Sequence, residues 1–487
     1  MVLAVIRGDW WLLSAVFIFR LAVIAIPATI LLTDPDSYLT LAKQLAASST
    51  FGFADANGAV QPTAFRPPLY PAAIALAIKL FGQPSVMAIG ILHSLSATCS
   101  AGFLLLIGRR LAVPYISLIA IAFSFDPLLV RQSQLLMTET LATTLALLSW
   151  WLCIQVYDTL EDTDSRDKTN SSMLLAGLIA GMSFGIATLT RPTAIVWLGL
   201  ILLTFLASAI FNGSIITSMR AERGAKMRAT AAILIGAMTI IAPWMIRNQR
   251  EIGKPIWATT HGGYTLLLAN NPILYDHLAS GSLSRDWDED RFHKLWANRD
   301  TMDPMSEDFW HQAVRTKQNV ATDASGLSSE TPSNSKEKKS DQTSRNHLDS
   351  KLHREIIEDQ LAQKVAIATI RERPAIATWS AVVRLGWLWT PLPNPRPDSA
   401  SKWLICVWYI GLYVVALLGA YKLGAANKSF PWFVGWLLVL SVTMVHAVYW
   451  SNMRMRSPAL PMLYLLTGWG LPCIWTAIFK RKTLVKP

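Results

Sequence analysis

The chain has 487 residues, of which 52% are hydrophobic and only 16% charged, and its formal net charge is +12. Soluble domains carry about 25% charged residues, so this composition argues against a soluble enzyme, a disordered tail, a nucleic-acid-binding module or a disulfide scaffold. The mean hydropathy is +0.34, and the apolar residues gather in long blocks. Blocks of about 18 or more read as membrane spans. The Lys and Arg excess sits beside those blocks, where anionic head groups and orientation rules favour it.

About ten spans are expected, near 10–32, 86–108, 112–126, 133–156, 172–190, 193–211, 229–247, 402–421, 431–449 and 458–479. The predicted fold class is therefore an all-α integral membrane protein, a polytopic helical bundle with interfacial helices and a large external loop region. The first block, Trp10 to Leu32, ends in acidic residues, which suits a span rather than a cleaved signal. The third block is short. Pro68 to Phe81 carries Lys79 on an otherwise apolar helix and suits the interface. The four cysteines, Cys99, Cys153, Cys406 and Cys473, all lie inside apolar blocks and read as small buried hydrophobes.

Basic residues fix the expected orientation. Arg109-Arg110, Arg220 to Arg228, Lys422/Lys428 and Lys480 to Lys482 fall on one side, which the positive-inside rule makes cytoplasmic. Residues 33–67, 126–132 and 248–400 then face outward. Three regions are expected: 1–250, a transmembrane catalytic module with the first external loop 33–67; 251–400, an external loop region; and 401–487, C-terminal transmembrane helices. Within the second, 316–350 is Ser/Thr/Lys-rich and poor in large apolar groups, so a disordered insertion is expected. Order resumes near His353, with helical spacing that stops at Pro374.

Several residues can carry chemistry. Asp34 and Asp36, in "TDPDSYLTLAKQL", either cap the helix that follows or supply a carboxylate base at the membrane surface. Arg66, in "FRPPLYP", can meet a phosphate, while its prolines set the helix entry. Asp126 precedes Pro127 and reads as a solvated loop carboxylate or a second site acid. Glu139 lies one turn into an apolar block; it stays at the water interface or marks a functional site. Arg20, inside the first span, needs a polar partner that the sequence does not name. Arg191 is placed at head-group depth. After the seventh span come Arg247 and Asn248, then His261, Tyr264 and Asn270, suited to a carbohydrate or phosphate pocket or to an ordinary polar loop. His261 has no second His at metal spacing. Arg454 and Arg456 lie on the outer side, against the positive-inside bias, which points to a specific anion.

The order of these segments resembles a known family. Asp-x-x-x-Tyr-x-x-x-Ala, "RPPLYP", "LLMTETL", "LTRPTA", "PWMIRN", "GGYTLLLANNP", "RLGWLWTP" and "RMRSPALP" are similar to the polyprenyl-phosphate-dependent glycosyltransferases of the GT-C superfamily. The nearest group is family 39-like, the bacterial relatives of protein O-mannosyltransferases and aminoarabinose transferases. The usual Asp-Glu pair is replaced by Asp34-Pro35-Asp36.

The resemblance implies an inverting membrane glycosyltransferase. A polyprenyl-phosphate-linked sugar would be the donor and a lipid, glycan or protein the acceptor, with the site on the outer face of a bacterial-type inner membrane. It implies Asp34 as base with Asp36 in reserve, and Asp126 as a second carboxylate. Arg66, Arg247, Arg454 and Arg456 are the donor-phosphate candidates, and Glu139, Asn248, His261, Tyr264 and Asn270 are pocket candidates. No cofactor is expected, a metal requirement is left open, and membrane lipids but no nucleic acid are expected partners. A transporter or flippase of a lipid-linked sugar or small solute is the alternative, although no internal repeat supports it.

Overall fold

Apolar blocks become helices because a helix satisfies every backbone N–H and C=O without water. The computed structural model describes residues 8–26, 31–55, 57–82, 86–162, 166–211, 219, 221–312, 342–393 and 400–480. Its helices are α1 Trp10–Ile24, α2 Tyr38–Ser48, α3 Leu69–Phe81, α4 Val86–Arg110, α5 Ile116–Ser124, α6 Pro127–Ser133, α7 Glu139–Glu161, α8 Arg166–Thr190, α9 Ala194–Ile210 and α10 Arg223–Ile252. There follow α11 Gly262–Ala269, α12 Pro272–Ala279, α13 Glu289–Ala297, α14 Glu307–His311, α15 Gln342–Glu372, α16 Pro374–Trp389, α17 Ala400–Leu423, α18 Phe430–Val448 and α19 Leu460–Lys480. Short 3-10 turns cover Gly424–Lys428 and Met453–Ala459.

The protein is a polytopic helical membrane protein. Among the described residues, six helices are long and apolar enough to cross a membrane: α4, α7, the Ser171–Thr190 part of α8, α10, α17 and α18. The expected third span, 112–126, holds α5, whereas α6 falls in the segment 126–132 expected to be an outer loop; the two helices are bent by 52°, and counting the pair as one span gives seven. The expected count of ten is thus not reproduced. α1 has 15 residues and α9 has 17, short of the ~20 that a straight crossing needs.

The chain forms two compact units. The first comprises Met1–Thr259, Leu385–Ala447 and Ser451–Pro487; the second comprises Thr260–Arg384 and Val448–Trp450.

In the first unit the spanning helices pack through small residues. A Cβ at Gly181 of α8 would lie 2.0 Å from the Ile233 carbonyl oxygen of α10, and one at Gly236 would lie 2.2 Å from that of Leu178. The two backbones therefore touch, as small-residue stripes permit. Buried indoles find acceptors on α18: Trp150 Nε1 donates to the Pro431 carbonyl at 2.7 Å and Trp197 Nε1 to that of Val434 at 3.1 Å. Arg20 on α1 is 2% exposed. It donates to the Ser124 carbonyl at 2.7 Å and to Ser133 Oγ at 3.2 Å. These atoms end α5 and α6, so the cation sits where helix dipoles turn negative. That is the partner the sequence left unnamed.

The segment 33–67 is more structured than a loop. After α2, β1 (Gly52–Ala54) and β2 (Val60–Pro62) form an antiparallel hairpin, with Phe53 opposite Gln61. Its turn is organised by Asp55, whose Oδ1 accepts from the backbone N–H of Asn57 and Ala59 at 2.9 and 3.0 Å, with Gly58 at φ 81°. This small sheet is an addition to the all-helical expectation.

In the second unit, α11 packs on α15 so closely that a Cβ at Gly263 would lie 1.9 Å from the Asp359 carbonyl oxygen. Phe292, Leu295, Phe309 and Trp310 are buried there. Residues 316–341 of the expected insertion lie outside the described residues, and helix α15 begins at Gln342. It ends just before Pro374, as the proline predicts.

Candidate active site

The first loop places two carboxylates differently. Asp34 faces the start of α2: its Oδ1 accepts from Leu39 N at 3.1 Å, and its Oδ2 from Thr40 N and Thr40 Oγ1, both at 2.8 Å. The side chain satisfies N–H groups that a helix start leaves open, so the capping alternative is realised. Asp36 points elsewhere. Its Oδ1 pairs with Arg66 Nη2 at 2.6 Å, and Arg66 Nε donates to the Asp36 carbonyl at 2.9 Å. Arg66 also lies over the rings of Phe65 and Tyr38, at 4.7 and 5.5 Å.

A second cluster is built from three distant segments. Glu139 opens α7 and is 3% exposed. Its Oε1 lies 3.3 Å from Arg191 Nη1 and 3.6 Å from Arg454 Nε. Neither approach is aligned as a hydrogen bond. Among the described residues, Glu139 Oε2, Arg191 Nη1 and Arg454 Nε are buried without a hydrogen-bond partner. Such atoms are costly when unsatisfied, and in native proteins they ask for an explanation such as a bound ligand. Arg191 also contacts the Met455 sulfur. Glu139 is thus buried and paired, not held at the water interface.

Two tyrosines join the clusters. The Tyr38 phenol is pushed up to about 12, first by burial; the carboxylates of Asp36 and Glu139 raise it further, and the guanidiniums of Arg66 and Arg191 partly offset the rise. It stays protonated at neutral pH and available as a donor. Tyr70 packs edge-on against Tyr38 at 5.1 Å, feels both Glu139 and Asp34, and bonds His93 Nε2 at 2.9 Å. His93 Nδ1 in turn meets the Ser133 carbonyl at 2.9 Å. Tyr38 is thus within electrostatic reach of Arg66, Asp36, Glu139 and Arg191, and Tyr70 of Glu139 and Asp34.

Other expected site residues are committed to structure. Asp126 is fully buried, not solvated. Its Oδ1 accepts from Leu128 N, Leu129 N and Tyr409 OH at 2.9, 3.0 and 2.8 Å, and its Oδ2 from Tyr464 OH at 2.7 Å. Arg456 is also fully buried. Its Nη1 donates to the carbonyls of Leu388 and Thr390 at 3.0 and 2.6 Å, and its guanidinium lies 4.3 Å over the Tyr409 ring. Arg247 ties the open end of the hairpin to α10, through Phe51 O at 2.7 Å and Thr63 O at 2.8 Å. Asn248 is buried and donates to the Ile256 carbonyl at 2.8 Å.

Within the second unit, Asn270 bridges the carbonyls of Leu266 and Val448, both at 2.9 Å, and accepts from Tyr275 OH. His261 lies against Tyr264, ring centroids 4.9 Å apart, and the Tyr264 hydroxyl meets His293 Nδ1 at 2.9 Å. Among the described residues, no group of three His, Cys, Asp or Glu side chains is placed to hold a metal.

In the sequence, Arg191, Tyr38 of the Asp-x-x-x-Tyr motif and Tyr70 of "RPPLYP" stand out without a role, and His93, Tyr409 and Tyr464 do not stand out at all. The available signal for Arg191 was a guanidinium at the end of an apolar block, as for Arg454.

No family model matches the sequence, and no curated protein matches it. In structure, the chain is similar to the Archaeoglobus fulgidus oligosaccharyltransferase, solved with a tethered acceptor peptide containing the NVT sequon. The TM-score is 0.51 at 12% identity, covering 98% of this chain and 51% of that one. The chain thus spans about half the length of that protein. ArnT from Cupriavidus metallidurans bound to undecaprenyl phosphate overlays with a TM-score of 0.35 at 14% identity, covering 99% of this chain and 81% of that one. Over nearly its whole length, the chain shares the membrane fold of that oligosaccharyltransferase.

Proposed function

We propose that the chain is an inverting membrane glycosyltransferase that moves a sugar from a polyprenyl-phosphate donor to an acceptor hydroxyl or amine. The observation that carries this reading is the buried Glu139–Arg191–Arg454 cluster, with an unsatisfied acceptor on Glu139 and unsatisfied donors on both arginines. A sugar phosphate offers the complement: an oxyanion for the guanidiniums and a hydroxyl for Glu139 Oε2. The shared fold with an oligosaccharyltransferase supports the reaction class.

The chemistry then runs as follows. The acceptor proton passes to a carboxylate of the first loop as the acceptor atom attacks the anomeric carbon. The bond from that carbon to the phosphate oxygen breaks, and its electron pair stays on the phosphate. Arginine suits the developing charge because it is always protonated and binds oxyanions in a fork. Asp36 is the better base by geometry. Its Oδ1 is tied to Arg66 and its side chain keeps 27% of its exposure, whereas both Asp34 oxygens serve the α2 N-terminus. Arg66 then positions the base. The Tyr38 hydroxyl is a donor toward either substrate. On the positive-inside reading, the site faces the outer side.

The test is transfer of labelled sugar from a polyprenyl-phosphate donor to membrane acceptors by purified protein in lipid. Wild type should transfer; Glu139→Gln and Asp36→Asn should not do so at comparable rates. Sugar export without covalent transfer would replace this reading with transport.

A further inference from the structure

We infer that Arg456, although fully buried, is a positioning residue that sets the geometry of Arg454 and Arg191 against Glu139; the inference rests on the reading above. The 3-10 turn Met453–Ala459 carries three successive side chains with separate tasks. Arg454 reaches Glu139. Met455 receives Arg191. Arg456 turns the other way and anchors the turn to the end of α16, through the carbonyls of Leu388 and Thr390. Helix C-termini leave carbonyls open and carry partial negative charge, so a guanidinium is matched to both.

The same anchor reaches the other side of the ion cluster. The Arg456 guanidinium lies over Tyr409 at 4.3 Å and Tyr413 at 5.7 Å. Tyr409 donates to Asp126 Oδ1 at 2.8 Å, and Asp126 caps α6 through Leu128 N and Leu129 N. A few residues later the chain enters α7 at Glu139. One buried network thus holds the turn that presents Arg454 and the helix pair that presents Glu139. Arg456 has no accessible surface, and its Nε and Nη2 have no hydrogen-bond partner among the described residues; on this inference it acts through Arg454 and not as a phosphate ligand.

The experiment is a double-mutant cycle read on the dissociation constant of undecaprenyl phosphate for the full chain in detergent, by native mass spectrometry. Thermal unfolding of each variant checks that it folds. Arg456→Lys keeps the charge but loses the planar fork, and should weaken binding about 10-fold in the otherwise native protein. In an Arg454→Ala background the same change should cost less than about 2-fold, because the group it positions is gone. Tyr409→Phe, which keeps the ring and removes the bond to Asp126, is the milder second variant and should show the same background dependence. Equal losses in both backgrounds, or no loss in either, would overturn the positioning role while leaving the glycosyltransferase reading intact. A native protein that does not bind the lipid phosphate at all would overturn both.

Discussion

Replacing Asp36 by Asn removes one negative charge and one base while keeping the side chain's size. The direct structural cost is small. Asp36 and Arg66 keep 27% and 14% of their side-chain exposure, and partly exposed pairs contribute about 0–1 kcal/mol. Arg66 also keeps its bond to the Asp36 carbonyl, 2.9 Å from Nε, so the loop should hold. Turnover should respond far more. Loss of a general base costs about 10²–10⁴-fold, or about 2.7–5.4 kcal/mol in the barrier. Asp34→Asn should behave oppositely. It disturbs three hydrogen bonds at the start of α2, a capping loss of about 1 kcal/mol, and should lower turnover less than about 10-fold. The assay is initial-rate transfer of labelled sugar, with melting temperatures measured on the same preparations. An Asp34→Asn protein that is folded but inactive, beside an active Asp36→Asn protein, would refute the assignment.

Other expectations follow from buried charge. Glu139→Gln leaves Arg191 and Arg454 without a counter-charge; it should destabilise by about 3–5 kcal/mol, and added polyprenyl phosphate should restore part of the melting temperature. Arg247→Ala frees the Phe51 and Thr63 carbonyls, which should speed hydrogen exchange across Gly52–Pro62 while leaving the spanning helices protected. In the second unit, burial raises the Asp359 carboxyl above its usual range, partly offset by bonds from Gly263 and Tyr264 N–H. A raised native value means the folded state binds the proton more tightly, so this residue's contribution falls as pH rises from about 3.8 through the native value. Asp359→Asn should flatten that dependence in pH-resolved thermal unfolding; an unchanged profile would show that the carboxyl is not the source.

Much of this molecule is legible in its sequence, and the rest has a clear physical cause. Membrane class depends on apolarity summed along one segment, which is local; the blocks that become α4, α7, α10, α17 and α18 declare themselves. The proline stop before α16 and the Asp126-Pro127 bend are local too. The loop acids Asp34 and Asp36 are also readable, since a carboxylate before a helix is either cap or site; that Asp34 bonds the start of α2 while Asp36 pairs with Arg66 is not. The expected ten spans are not reproduced among the described residues, where α1 and α9 have 15 and 17 residues. Asp126 reads as a solvated loop carboxylate or a second site acid because its near neighbours say only that. The tyrosines that bury it come from 283 and 338 residues later in the chain. Glu139 finds Arg191 and Arg454 only when α7, the end of α8 and the turn before α19 meet. Helix formation and capping are decided by neighbours a few residues apart; the charge balance of a buried site is decided by whichever segments the packing brings together.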